Sequence, residues 1–162
     1  MAAETPAAGA GRAVVGPAAQ AGRTAGGLSV VERAGRLCVG SDAAAKWEAS
    51  VGYSRAVRSG PFIAVSGTVG VEADGSYAPT VGAQTRRALA IIKAAVESLG
   101  GTLGHVIRTR IFVTDISAWE EVGTAHAEYF GGIRPATSMV EVSRLIDPRI
   151  LVEVEADAFV PG

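Results

Sequence analysis

The sequence predicts an α+β fold: a mixed β-sheet with two helices packed on one of its faces. Three observations carry that prediction. From Val152 to Ala158 the acids Glu153, Glu155 and Asp157 alternate strictly with Val152, Val154, Ala156 and Ala158, the period-two pattern of a strand with one apolar and one polar face. Between Thr80 and Leu99 the apolar residues Val81, Ala88, Leu89, Ile92, Ala95, Val96 and Leu99 recur at three- and four-residue spacing, the stripe of an amphipathic helix. The order strand, helix, strand in the second half of the chain favours a partly parallel sheet with its helices on one side.

A chain of 162 residues is long enough for one domain with a proper core, and 48% hydrophobic against 19% charged residues describes a globular protein. The formal net charge of −1 leaves no electrostatic footprint for a nucleic acid, and no basic patch with interleaved aromatics appears. The single Cys38 excludes an intramolecular disulfide and a cysteine zinc site. No apolar run approaches the ~20 residues of a membrane span, and no basic segment followed by an apolar one opens the chain. A cytoplasmic protein without membrane or nucleic-acid partners is expected.

Residues 1–28 are Ala, Gly, Pro, Arg and Thr with hardly any large apolar side chain; they read as a flexible extension, because they cannot bury enough surface to offset ordering entropy. The domain then spans 29–162. Val30 to Glu32 and Arg36 to Val39 form a broken strand or small hairpin around Gly35. Ala43 to Ser50 is a loop, with room for a short helical turn, that presents Trp47. Tyr53 to Arg58 and Phe62 to Ser66 flank Ser59-Gly60-Pro61 as a hairpin. Gly100-Gly101 stops the long helix. His105 to Val113 is a strand, with Arg108, Arg110 and Phe112 on one face and Ile107, Thr109, Ile111 and Val113 on the other. Ser117 and Glu120 form a capping box for a second helix from about Ala118 to Phe130, whose apolar side holds Trp119, Val122, His126 and Phe130. Two closing strands are split by Asp147-Pro148.

Helices on one face leave the other sheet face bare, and that face carries Glu153, Glu155 and Asp157. Arg108 and Arg110 are expected beside them, where opposite charges on facing strands pair for a few tenths to about 1 kcal/mol each. The same face could close against another copy of the protein. His126, alone on an apolar helix face, reads as a satisfied core residue, and neither histidine has metal-ligand companions.

Five segments together resemble the reactive-intermediate deaminase (RidA or YjgF-like) family: Val51-Gly-Tyr-Ser-Arg-Ala-Val-Arg58, Val65-Ser-Gly-Thr68, Arg108-Thr-Arg-Ile-Phe-Val-Thr-Asp115, Arg134-Pro-Ala-Thr-Ser-Met-Val-Glu-Val142 and Val152-Glu-Val-Glu-Ala156. The likeness covers about residues 30–160. It implies a chorismate-mutase-like fold and a homotrimer in which the bare sheet faces form a central barrel. It also implies clefts between subunits that bind small molecules, often carboxylates, and hydrolysis of imino or enamine acids without metal or organic cofactor. Carried over by position, the cleft tyrosine is Tyr53, the Ser-Gly pair is Ser66 and Gly67, and the cleft glutamate is Glu153. Tyr53 and Glu153 are thus the expected catalytic pair.

Two positions depart from the family pattern. The carboxylate-binding arginine is replaced by Thr137, within Pro135-Ala-Thr-Ser138, and a cleft asparagine of the second helix by Gly123. A threonine hydroxyl offers one donor and no charge, so the chain reads as a divergent branch in which Arg134 or Arg110 is the candidate substitute cation. An imino acid needs a cation for its carboxylate, for which arginine's fork is suited, and a group such as Glu153 to place water on the C=N carbon. Hydrolysis of a reactive imine or enamine, or of a related carbonyl compound, in a cleft between subunits is the expected function. A non-catalytic, metabolite-binding regulatory trimer and a specialised biosynthetic enzyme are the alternatives.

Overall fold

The computed structural model describes residues 22–23, 27–42 and 45–161. The extension expected over residues 1–28 lies outside the described residues, except for Gly22–Arg23 and residues 27–28.

The sheet is built in two parts. The first is an antiparallel run of β1 (Gly22–Arg23), β2 (Leu28–Arg33), β3 (Arg36–Ser41), β4 (Ala56–Ser59) and β5 (Phe62–Val69). The second holds β6 (Val106–Val113), β7 (Ala136–Glu141) and β8 (Val152–Phe159). The last strand, β8, inserts between β5 and β6 and is antiparallel to both. β7 lies at the edge, parallel to β6, as the intervening helix requires of a crossover. The order is β1-β2-β3-β4-β5-β8-β6-β7. It is a mixed sheet, as expected.

Two helices cover one face. α2 (Val81–Ser98) starts at Thr80, whose hydroxyl accepts the Ala83 N–H, and buries Ala88, Leu89, Ile92, Ala95 and Val96 completely. The chain turns out of α2 at Gly100, which has φ +78°, a conformation glycine adopts without steric cost. α3 (Trp119–Phe130) packs beside α2 and sinks Val122, Ala125 and Phe130 into the core. Below them the sheet supplies Val39, Ile63, Val65, Ile111, Val113, Val152, Val154 and Ala156. The alternation read in β8 is therefore real: its valines and alanines are buried and its three acids face the other way.

Four expectations are corrected. The segment read as a loop forms α1 (Ala45–Val51), with Trp47 exposed. Ile107 does not face the core. A register irregularity between Val106 and Arg108 buries Val106 and turns Ile107 out to 52% exposure, because one extra residue reverses the side-chain alternation. The capping box of Ser117 and Glu120 does not form. Asp115 accepts from the Ser117 N–H and hydroxyl instead, and Ala118 at the head of α3 has no side-chain cap. Trp119 is exposed rather than packed.

Candidate functional site

The open face of the sheet is charged where β8 meets its neighbours. Arg108 pairs in register with Asp157, Arg110 with Glu155, and Phe112 with Glu153. Arg110 stands 3.5 Å from Glu155 and 3.1 Å from Asp157, so the cross-strand pairing expected of it is present.

At one end of this face the backbone is irregular. Between Val65 and Thr68 the β5–β8 register shifts, leaving Ser66 and Gly67 out of step with β8. The Ser66 N–H donates to the Arg55 carbonyl and its hydroxyl to the Ser54 carbonyl at 2.7 Å, which ties the bulge to the segment entering β4. Gly67 lies against the Glu153 carboxyl so closely that a built Cβ would overlap Oε1 outright. Glycine is needed here for space, since nothing larger lets the carboxylate lie flat on the strand.

Arg55 holds this corner together. Its Nη1 donates to the Gly67 carbonyl at 2.6 Å and to Thr68 Oγ1 at 3.0 Å, and its Nη2 to Tyr53 Oη at 3.3 Å. The guanidinium also sits 5.6 Å from the Tyr53 ring centroid. Arg55 is only 7% exposed. Tyr53, Ser66, Gly67 and Glu153, four of the residues assigned to the cleft, are thus brought together around an arginine to which the sequence had given no role.

Burial pushes the Glu153 carboxyl above its ordinary value; Glu155 pushes the same way and Arg55 opposes both. A carboxyl at such a corner can act as a general base and then return the proton as an acid. Nearby, Glu48 of α1 accepts the Ser41 N–H with both oxygens at 3.1 Å, and burial pushes it up as well. Glu48 and Tyr53 share a cavity with Ser29, Cys38 and Gly40.

The remaining predicted residues are elsewhere. Thr137 pairs with Thr109 on the helix-covered side, and their hydroxyls are 2.9 Å apart. Thr109 Oγ1 lies 3.0 Å from His126 Nε2, and the Thr137 hydroxyl donates to the Pro135 carbonyl at 3.0 Å. Given that donation, Thr109 donates to Thr137, and His126 donates to Thr109 through its Nε2–H. Burial holds the His126 imidazole below its ordinary value, and its ring rests 4.7 Å from that of Phe130. His126 is a satisfied, half-buried residue, as its isolation on an apolar face suggested. Gly123, one turn before it, leaves open space where a side chain would stand. Arg134 closes α3: its backbone N–H donates to the Phe130 carbonyl, its Nε to the Gly131 carbonyl at 3.3 Å, and its φ is +56°.

One chain therefore holds the predicted residues in two separate groups. Tyr53, Ser66, Gly67 and Glu153 lie at the β4–β5–β8 corner of the open face. Thr137, Arg134 and Gly123 lie at the β7 edge and along α3. Arg110 sits between the groups, spent on ion pairs. Arg55 was missed because burial of an arginine depends on a carbonyl that the distant Gly67 bulge supplies, which no local pattern announces. Among the described residues no group of three or more His, Cys, Asp or Glu side chains is placed to hold a metal, and no helix is long and apolar enough to cross a membrane.

A protein-family model described as endoribonuclease L-PSP matches residues 43–160. The chain is 36% identical over 114 residues to the uncharacterized protein SCO2049 of Streptomyces coelicolor, a match covering 70% of this chain and 85% of that one. It is 34% identical over 116 residues to the RutC family protein PH0854 of Pyrococcus horikoshii, covering 66% and 86% respectively. Among solved structures, Rv2704 of Mycobacterium tuberculosis, described as a member of the highly conserved YjgF/YER057c/UK114 family, superposes with a TM-score of 0.71 at 53% identity, covering 77% of this chain and 99% of that one. The YjgF gene product of E. coli superposes with a TM-score of 0.62 at 33% identity, covering 66% and 87%.

Proposed function

The chain belongs to the YjgF/RidA family, and from that premise we propose that it is an imine or enamine hydrolase whose active cleft is completed by a second copy of the same chain. The assembly is a homotrimer of chorismate-mutase-like subunits, with the open sheet faces turned inward as a central barrel. The observation that carries this reading is the division of the site. The Glu153 corner and the Thr137 edge belong to opposite faces of one sheet, so a small ligand meets both only between two copies.

The chemistry follows from Glu153. A protonated imine carbon is electrophilic, and a water hydrogen-bonded to the Glu153 carboxylate adds to it as the carboxylate takes the proton. The resulting carbinolamine receives that proton on nitrogen and expels ammonia as its hydroxyl proton passes back to the Glu153 carboxylate, leaving a carbonyl group. One proton leaves water and one arrives on the amine, so the Glu153 carboxyl serves both steps. Tyr53 supplies a hydroxyl at the same corner, and Ser66 with Gly67 shapes the floor. The reaction as drawn uses neither metal nor organic cofactor. It places the protein with small molecules of the cytoplasm rather than with nucleic acid or membrane, consistent with an open face where Arg110 is neutralised by Glu155 and Asp157.

A second reading, a trimer that binds a metabolite without turning it over, draws support from Thr137. Its hydroxyl proton is already committed to the Pro135 carbonyl, so this position gives a ligand neither charge nor a free donor. Coupling the purified protein to an amino-acid oxidase and following 2-oxo acid release separates the two. Faster release than the uncatalysed rate, lost in Glu153→Gln, supports the hydrolase. No acceleration with any imine, together with ligand-induced thermal stabilisation, supports the binding protein.

A further inference from the structure

We propose that Arg55, rather than a residue of the β7 edge, holds the carboxylate of this protein's ligand, so that the substrates are imino acids anchored on the same corner as Glu153. The inference rests on the small-molecule reading of that corner and adds the residue that selects among its ligands.

Three observations lead to it. The first is donor accounting. A guanidinium has five N–H groups; Gly67, Thr68 and Tyr53 take three of Arg55's, two from Nη1 and one from Nη2. Its Nε–H and the second Nη2–H have no acceptor among the described residues. Those two form the side-on edge that grips a carboxylate with parallel bonds. Arg86 shows the grip on the surface of this same chain, holding Glu128 through Nε at 2.9 Å and Nη2 at 2.6 Å.

The second observation is charge. Arg55 is 7% exposed, yet no carboxylate of the described residues forms an ion pair with it. A buried, uncompensated cation is costly, and proteins keep such groups where a ligand completes them. Glu48 and Glu153 feel its charge, but neither carboxylate bonds to it.

The third is the lack of a rival. Arg110 is held by two acids, Arg134 is drawn back onto the end of α3, and the Thr137 hydroxyl donates to a backbone carbonyl. Of the cations weighed for this role, only Arg55 adjoins Gly67 and Tyr53.

The test uses 2-oxobutanoate, with uncharged 2-butanone as its control. In the wild-type protein labelled with 15N-arginine, the Arg55 Nε–H resonance should move on titration with 2-oxobutanoate and stay still with 2-butanone. Arg55→Gln should weaken 2-oxobutanoate about tenfold to a hundredfold, the usual loss with a charge-assisted contact, and Arg55→Lys should recover part of it. The wild-type resonance decides the matter even if Arg55→Gln fails to fold. An unmoved Arg55 signal, a response at Arg110 or Arg134 instead, or unchanged affinity in a folded Arg55→Gln protein overturns the proposal. Failure here leaves imine hydrolysis open, since uncharged imines are turned over without this contact. Conversely, 2-oxobutanoate bound at Arg55 without any turnover refutes the hydrolase and supports Arg55.

Discussion

Thr137 and Glu153 stand on opposite faces of one sheet, two strands apart. Thr137 reaches Thr109 and, through it, His126 beneath α3. Glu153 lies on the open face against Gly67. Strand geometry allows no other outcome, since neighbouring strands keep their side chains in step and successive residues take opposite faces. Residues that the family resemblance assigned to the cleft thus lie on two faces of one chain.

The fit between Gly67 and Glu153 predicts the effect of a single methyl group. Gly67→Ala forces the carboxyl off the strand and should cost about 1–3 kcal/mol, typical of overpacking. Turnover and ligand affinity should fall further than stability, because Glu153 is the displaced group. Thermal denaturation beside the oxidase-coupled assay measures both.

Glu153 should also be felt in stability against pH. Its folded-state value is raised above the ordinary 4.5, so the unfolded chain releases the proton first. Glu153 therefore costs nothing well below pH 4.5 and lowers stability as pH rises through its raised value. Glu153→Gln should raise the melting temperature at about pH 7, with the gain vanishing by about pH 4, while abolishing turnover. A variant that is more stable and inactive marks a residue kept for chemistry.

His126 carries the opposite sign. Its imidazole is held below the ordinary 6.5 by burial, so the stability it confers is complete above that value and drains away as pH falls towards its lower folded one. His126→Leu should lose less stability than wild type between about pH 7 and about pH 5. Thr109→Val, which strips the hydroxyl joining His126 to Thr137, should cost about 1–3 kcal/mol. Chemical denaturation at several pH values tests both.

Arg110 should matter little to the isolated fold. Its partners and it are each a little over one-third exposed, so the pairs are screened and worth at most about 1 kcal/mol. Arg110→Ala should shift the denaturation midpoint only slightly. Its effect should appear instead in assembly, by sedimentation at rising salt, because the charges it leaves unbalanced face the barrel axis of the proposed trimer.

Regular patterns were legible and their interruptions were not. The alternation of Val152 to Ala158 and the stripe of Val81 to Leu99 each repeat over many residues, so they gave the buried strand and the main helix directly. One extra residue near Ile107 and the register shift at Ser66 and Gly67 leave no trace in a periodicity, yet they turn Ile107 outward and bring Gly67 to Arg55. The family likeness assigned Tyr53, Ser66, Gly67 and Glu153 to the cleft, and the fold sets them around Arg55. It did not show that Thr137 lies on the face opposite Glu153, because facing depends on strand pairing between β6 and β7. Arg55 went unassigned since a single cation in an alternating segment looks like any solvated arginine.

Subunit complementation tests the shared site most directly. Glu153→Gln lacks the working carboxyl, and Thr137→Trp blocks the β7 edge, so each protein alone should be inactive in imine hydrolysis. Unfolded together in equal amounts and refolded into mixed trimers, about a quarter of the interfaces join an intact Glu153 corner to an intact β7 edge. The account predicts recovery of roughly that fraction of wild-type turnover. Mixed trimers that stay as inactive as their parents would contradict it.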